Sequence, residues 1–382
     1  MSRGRSLTFY EFFAGGGMAR AGLGEAWRCL FANDFDAGKA RAYRDNWGEE
    51  DLALGDVWDL SPEDLPGRAD LAWASSPCQD LSLAGSRAGL VGGRSSAFWG
   101  FWRLMQALMA EGRAPRVIVL ENVAGLLSSN AGADFTAVCQ AFGEAGYVFG
   151  AVEIDASAFL PHSRPRVFVI AARQGEARET PAFSGPPGAF HGRAVVAAHG
   201  RLPAPLAARW RWWRLPAPAR SNTRLIDLLE PDGAVRWRSP RQTEILLGQL
   251  SPLHQERLSL AMASRDRLVA AVYRRIRVEQ GVKVQRAELR LDGRAGCLRT
   301  PAGGSSRQLL LVAENSQIRS RHLTAREGAR LMGLPDAYRL PSSQTAALHL
   351  LGDGVAVPVV RFLAETLIEP LLNPPAAVAA AE

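Results

Sequence analysis

Lysine is nearly missing from this chain of 382 residues: only Lys39 and Lys283 occur, so 43 of the 45 basic side chains are arginines. An Ala- and Arg-rich, Lys-poor chain reflects genome base content first, yet arginine also suits bidentate contacts to phosphate and guanine. Cysteine is scarce too. Cys29, Cys78, Cys139 and Cys297 lie far apart with no Cys-x-x-Cys pair, which argues against a disulfide framework and against a cysteine zinc site. No run approaches the roughly 20 apolar residues of a membrane helix. Arg3, Arg5 and Glu11 interrupt the opening stretch before any signal-peptide core, so the cytoplasm is the expected compartment, with no membrane partner. Internal repeats are also absent.

What is present suits a folded protein of two unequal parts. Hydrophobic residues at 47% and charged ones at 22% exclude a wholly disordered, collagen-like or coiled-coil chain. The net charge of +7 is unevenly spread: Thr180 to Ser320 holds 23 basic and 10 acidic residues, the remainder 22 and 28. That asymmetry suits a polyanion-binding part joined to a slightly acidic body.

Short apolar strands alternate with amphipathic helices over the first 175 residues, which predicts an α/β fold with a mostly parallel sheet of the nucleotide-cofactor type. The pattern changes after Arg178, where a Pro-, Gly-, Ala- and Arg-rich segment begins; a domain boundary is placed there. Beyond it, Pro252 to Ile276 reads as a basic helical stretch. Trp210-Arg211-Trp212-Trp213 suits either stacking on a nucleic acid or packing inside the small domain. Gly354 to Leu372 is apolar at helical spacing.

Phe13-Ala14-Gly15-Gly16-Gly17 separates the first strand from a helix, where bare backbone N–H groups can approach a ligand. It is not the dinucleotide fingerprint, because Arg20 stands where the third glycine would be. Asp34 and Asp56 close the second and third strands. Either alone suits a turn or helix cap; together after a glycine turn they outline an adenosine pocket, Asp34 toward the ribose and Asp56 toward the adenine amino group. The fourth strand ends in Pro77-Cys78-Gln79 and the fifth in Glu121-Asn122-Val123, at the edge where open parallel sheets bind ligands. A thiolate adding to an electron-poor ring while an acid holds the ring nitrogen is the chemistry such a pair offers.

Eight blocks in order now carry a resemblance: Phe-Ala-Gly-Gly-Gly, Asn33-Asp34, Gly55-Asp56-Val57, Pro77-Cys78-Gln79, Glu121-Asn122-Val123, Arg164-Pro165-Arg166, Leu323-Thr324-Ala325-Arg326-Glu327 and Gly352-Asp353-Gly354-Val355. Together they resemble the cytosine carbon-5 DNA methyltransferases, of the bacterial restriction-modification kind. The resemblance implies a Rossmann-like S-adenosylmethionine-dependent sheet with helices on both faces and a smaller, irregular target-recognition domain. It divides the chain into 1–178 (first part of the catalytic domain), 179–341 (target recognition) and 342–382 (return to the catalytic domain, and tail). Cys78 would be the nucleophile, Glu121 the acid at ring N3, and Arg164 and Arg166 would hold the base's O2 side, with Asn122 in the same block. S-adenosylmethionine would lie against Phe13, Gly15, Gly17, Asp34, Asp56, Val57, Pro77, Asp353 and Val355. DNA contacts would come from Ser82 and Arg94, which bound a glycine-rich loop after the nucleophile, and from Arg299, Gly303, Gly304 and Arg307.

The implied acceptor is a flipped-out cytosine in a specific duplex DNA sequence, with the protein a monomer and any cognate restriction endonuclease acting separately. Three positions depart from the family pattern: His162 replaces the usual glutamine, Glu11 the usual aspartate of the first strand, and Asp353 the usual asparagine. The same chemistry on RNA is one alternative, though RNA-directed relatives carry a Cys-Phe-Thr segment that is absent here. A catalytically silent DNA-binding relative is the other, opposed by the intact Cys78 and Glu121. A nicotinamide-dependent oxidoreductase would explain the glycine turn and none of the later blocks.

Overall fold

The computed structural model describes residues 6–77, 97–176, 182–185, 188–219, 221–263, 266–300, 307–315 and 317–372. Two units share the chain. One comprises Met1–Asp155, Pro165–Pro218 and Val355–Glu382; the other comprises Ala156–Arg164 and Ala219–Gly354.

In the first unit, β1 (Leu7–Phe12), β2 (Trp27–Asp34), β3 (Leu52–Leu54), β4 (Leu71–Ala74), β5 (Val117–Asn122), β6 (Tyr147–Asp155) and β7 (Pro165–Arg173) form one sheet. Its order is β3-β2-β1-β4-β5-β7-β6. Strands β1 to β5 are parallel, whereas β7 runs antiparallel between β5 and β6. The amino end of β7 therefore meets the carboxyl ends of the parallel strands. Both faces of the central strands are covered, which is why Leu71-Ala72-Trp73-Ala74 and Val117 to Asn122 are buried throughout rather than in alternation.

Helices α1 (Met18–Leu23), α2 (Ala37–Trp47), α3 (Ala97–Ala110) and α4 (Ala133–Glu144) flank these strands. Asp36 starts α2 by accepting from the N–H groups of Gly38 and Lys39 at 2.8 and 2.9 Å. Helix α3 buries Phe98, Phe101 and Trp102, setting Phe101 5.0 Å from Phe12 and Trp102 5.3 Å from Phe142 between ring centres. At Gly22 of α1 the helix Val357–Leu363 approaches so closely that a Cβ would fall 2.3 Å from that of Val360.

The boundary expected near Arg178 lies instead at Pro218. The Trp-Arg-Trp-Trp run is the reason. Strands β8 (Ala182–Phe183) and β9 (Trp212–Trp213) pair, and Trp210, Trp212 and Trp213 are buried. Trp210 packs edge-on to Phe149 and Phe135, and Trp213 Nε1 donates to the carbonyl of Ile170 at 3.3 Å. Of the two uses open to these indoles, packing is the one the structure builds, and it takes place in the first unit rather than the small domain.

The second unit holds an antiparallel sheet of β10 (Leu268–Glu279), β11 (Val282–Arg290), β12 (Leu309–Glu314) and β13 (Gln317–His322), ordered β11-β10-β12-β13. The expected helix over Pro252 to Ile276 is really two elements: a helix Pro252–Met262, begun by the Ser251 side chain, then β10. Val269, Val272 and Tyr273 favour a pleated surface. A turn at Gln280 and Gly281, both at positive φ (50° and 81°), closes the β10–β11 hairpin as such two-residue turns require. Leu246, Leu250, Leu258, Val272, Leu309 and Leu311 form the core beneath this sheet.

Buried arginines brace the second unit. Arg321 meets Glu327 in a two-pronged pair at 2.7 and 2.6 Å, both side chains 1% exposed, and Glu327 also accepts from the N–H groups of Glu230 and Thr324. The return to the first unit, expected from residue 342, begins at Val355. The helix Gln344–Asp353 stays in the second unit, where Leu348 and Leu351 pack over Gly328.

Candidate active site

Adjacent strand ends collect the polar residues. Register pairs Phe12 with Asn33 on β2 and with Ala74 on β4, and Ala74 with Leu120 on β5. The loops after β1, β2, β4 and β5 thus leave one edge side by side.

The turn after β1 departs sharply from strand geometry. Phe13, Gly15 and Gly17 all have positive φ (57°, 57° and 76°), and for a bulky residue such as Phe13 this is a strained backbone of the kind that marks functional turns. Gly17 has a second constraint, because a Cβ there would lie 2.3 Å from the Trp47 indole nitrogen, which donates to the carbonyl of Gly16. Asp34 holds the turn: its Oδ2 accepts from the Gly15 N–H at 2.8 Å and its Oδ1 from that of Asp36 at 2.9 Å. Burial pushes its pKa upward against these donors. Asn33 ties β2 to the next strand through the carbonyls of Ala53 and Gly55. Asp56 uses Oδ1 to accept from the Trp58 N–H at 3.0 Å, while Val57 is buried beneath Gly100 of α3.

Under the turn lies Glu11, 1% exposed. Its Oε1 accepts weakly from the Arg20 N–H at 3.4 Å, and its Oε2 is buried with no hydrogen-bond partner among the described residues. Burial pushes this carboxyl up to about 8, and the neighbouring Asp34 charge adds to the rise.

At β5, Glu121 is 5% exposed and its Oε1 lies 3.1 Å from Arg166 Nε. The antiparallel course of β7 makes this pairing possible by bringing its second residue to the end of β5. Next to it, Asn122 Nδ2 donates to the carbonyl and hydroxyl oxygens of Ser76 at 3.1 and 3.3 Å. That clasp fixes the end of the β4 loop one residue before the exposed Pro77 and two before Cys78. Cys78 lies outside the described residues, as do Ser82, Arg94, Gly303 and Gly304.

Arg164, expected beside the cytosine, has another task. It is 1% exposed, and its guanidinium donates to the carbonyls of Leu298, Gly352 and Gly354 at 3.1, 2.8 and 2.6 Å. It braces the second unit. Gly352 permits this arrangement, since a Cβ there would lie 2.7 Å from the Thr300 nitrogen. His162 serves the same unit: Nδ1 faces the Leu331 carbonyl at 3.0 Å and Nε2 accepts from the Leu298 N–H at 3.1 Å. Asp353 is exposed at the end of its helix, Val355 is buried, Arg299 is exposed, and Arg307 donates to Thr345 Oγ1 at 3.3 Å.

One side chain was not singled out from the sequence. Phe35 follows Asp34 directly and is 68% exposed, an unusual position for a large aromatic at a ligand-binding sheet edge. Its signal was available: an aromatic between the strand-end acid and the Asp36 helix cap. Among the described residues no group of three or more His, Cys, Asp and Glu could hold a metal ion, and no helix is long and apolar enough to cross a membrane.

Known proteins are similar to this chain in sequence or in fold. The type II methyltransferase M.HhaI of Haemophilus parahaemolyticus is 24% identical over 362 residues, 94% of this chain and 93% of that one. M.BsuFI of Bacillus subtilis is 31% identical over 171 residues, 44% of this chain and 40% of that one. The solved structure of the S. pombe Dnmt2 methyltransferase has a TM-score of 0.62 at 18% identity, covering 96% of this chain and 99% of that one, which is a likeness of fold. The family model for the C-5 cytosine-specific DNA methylase matches residues 7–369. With the glycine turn, the strand-end acids and the Glu121–Arg166 pair on one framework, the chain belongs to the C-5 cytosine-specific DNA methylase family.

Proposed function

We propose that this protein transfers a methyl group from S-adenosylmethionine to carbon 5 of a flipped-out cytosine in a specific duplex DNA sequence, as the methyltransferase of a restriction-modification system. The observation that carries this reading is the Glu121–Arg166 pair beside the Ser76–Asn122 clasp, two residues from Cys78. The type II methyltransferases similar to this chain support the DNA substrate and the restriction-modification setting.

The residues after β1 to β3 fit the cofactor. A positive-φ turn leaves room above Gly15, where a Cβ would meet nothing within 4 Å. Phe35 offers a ring face for adenine and Asp56 an acceptor for its amino group. Asp34 is committed to Gly15 and Asp36, so it supports the turn and reaches a ribose hydroxyl only by sharing those oxygens. Val57 and Val355 have buried side chains, which leaves their backbones for contact. When bound, S-adenosylmethionine supplies an electrophilic methyl group.

Cytosine carbon 5 becomes nucleophilic only after addition at carbon 6. The Cys78 thiolate makes that bond while Glu121 protonates ring N3, so negative charge does not accumulate on the ring. Arg166 fixes the Glu121 carboxyl and, from the same position, the O2 side of the base. Once carbon 5 carries its methyl group, water removes the carbon-5 proton, the electron pair expels Cys78 as thiolate, and ring N3 returns its proton to the Glu121 carboxylate. The basic second unit is the DNA reader in this reading, and the segment that contains Cys78, Ser82 and Arg94 meets the flipped base.

The test is methyl transfer from labelled donor to duplex DNA and to RNA, with trapping on 5-fluorocytosine DNA. Transfer to DNA and an adduct lost in Cys78→Ala are expected. Transfer to RNA alone, or none with intact cofactor binding, sinks the reading.

A further inference from the structure

Three consecutive glycines, Gly15 to Gly17, leave the turn after β1 wide backbone freedom, since glycine visits positive and negative φ at similar cost. The Gly16–Gly17 peptide is the unit most open to reversal, because glycine lies on both sides of it. Yet it is held at both ends. Its N–H donates to the carbonyl of Ala14 at 2.8 Å, and its carbonyl accepts from Trp47 Nε1 at 3.0 Å. Gly17, at φ 76°, also lies against two rings of α2: a Cβ there would fall 2.3 Å from Trp47 Nε1 and 3.0 Å from Tyr43 Cε2.

The indole is held in turn. Arg20, which stands where the dinucleotide fingerprint has its third glycine, sets its guanidinium carbon 5.3 Å from the centre of the Trp47 ring and 5.7 Å from that of Tyr43. Its Nη1 donates to the Tyr43 hydroxyl at 2.9 Å and to Asp51 Oδ2 at 3.1 Å. One side chain thus ties α1 to α2 and to the residue before β3. Tyr43 is fully buried and the Arg20 side chain is mostly so, which shields these contacts from the solvent screening that weakens a surface pair.

We infer that Trp47, backed by Arg20, Tyr43 and Asp51, is a positioning residue for the methyl donor: it fixes the Gly16–Gly17 peptide before the donor arrives. This rests on the cofactor reading above and deepens it, because that reading names the turn and not what sets its conformation. A turn free to reverse one peptide binds the donor with only part of its population, and apparent affinity falls with that fraction. One neutral hydrogen bond shifts such a balance by about 3- to 10-fold.

The experiment compares Trp47→Phe with wild type in the full chain, with S-adenosylmethionine as the probe in direct binding and in steady-state methyl transfer to duplex DNA. The variant loses the N–H and keeps a ring against Gly17 and Arg20. Donor Kd and KM are expected to rise about 3- to 10-fold, while kcat at saturating donor and the KM for DNA stay within about 2-fold of wild type. Hydrogen exchange in the peptide Phe13 to Met18 should be faster in the donor-free variant and return to the wild-type rate at saturating donor. Arg20→Met keeps the indole N–H and removes its backing, so a smaller rise of the same pattern is expected, and the double variant should show less than the product of the two. If Trp47→Phe fails to fold, Arg20→Met carries the same test. A folded Trp47→Phe chain with wild-type donor affinity overturns the inference and leaves the cofactor reading standing. So does a variant whose donor KM, DNA KM and melting temperature all deteriorate together, the signature of packing alone. Donor binding decides the matter even where the acceptor proves to be RNA. A wild-type chain that binds no S-adenosylmethionine overturns the cofactor reading, and the positioning role with it.

Discussion

In the seven-stranded unit buried acids are held by backbone N–H groups, as Asp34 is by Gly15 and Asp36. In the four-stranded unit the buried Arg164 is held by backbone carbonyls, those of Leu298, Gly352 and Gly354. Composition follows the same division: the second unit has 23 basic and 13 acidic residues, the first 22 and 25. Glycine turns at strand ends present N–H groups and favour anions, whereas the irregular loops of the second unit present C=O groups and favour cations. Residue type alone therefore does not decide a role. Arg164 and Arg166 are two positions apart, and one is a brace while the other pairs with Glu121, the acid of the proposed reaction.

The sharpest way to break this comparison is to exchange that pair's fates. Arg164→Met should destabilise the second unit by about 3–5 kcal/mol, because three buried carbonyls lose their donor. Arg166→Met should cost less stability than Arg164→Met, because Arg166 is only partly buried and loses one ion pair, and should slow single-turnover methyl transfer about 10²- to 10³-fold. Equal losses of stability in both variants would erase the distinction.

Next in size is Glu327→Gln. Removing the acid from the fully buried Arg321 pair should cost about 3–4 kcal/mol in denaturant unfolding, with Arg321 left as an uncompensated charge. An unchanged midpoint would show that carbonyl contacts alone hold the buried cations of this unit.

The smallest effect concerns Glu11 and depends on pH. Unfolded, this carboxyl titrates near 4.5; folded, near 8. Between those values only the folded chain keeps the proton, so stability is greatest at the acid end of the window and falls as pH rises through it, by roughly 3 kcal/mol from pH 5 to pH 8. Glu11→Gln should remove this slope and raise the melting temperature at pH 8 more than at pH 5. A slope that persists in the variant would assign the loss to other groups.

Much of the first unit was legible because its strands are continuous apolar runs that end in turn residues, and parallel topology places those ends together. The same logic located Glu121 and the Asp34 turn. Arg164 was misplaced because the chain changes unit at Pro165, a switch that alternation along the sequence does not encode. Trp210 to Trp213 lies in the Pro- and Gly-rich stretch that follows the boundary expected near Arg178 and so reads as part of the small domain, while its indoles close the core of the first unit against Phe149 and Ile170. Pro252 to Ile276 failed for a simpler reason: short apolar stretches fit helix and strand periods equally well until a turn such as Gln280-Gly281 fixes the pairing.

The contact between Gly22 and Val360 has a consequence for biosynthesis. All seven strands of the large sheet emerge from the ribosome within the first 173 residues, yet the helix that seats on α1 follows almost 200 residues later. Trp27 and Arg116 likewise wait for Glu369 and Leu372. Until then Gly22 lacks the Val360 contact that seats this helix on α1, so the amino-terminal portion cannot mature as translation proceeds. Folding of the larger unit is completed only once the segment from Val355 onward has been made.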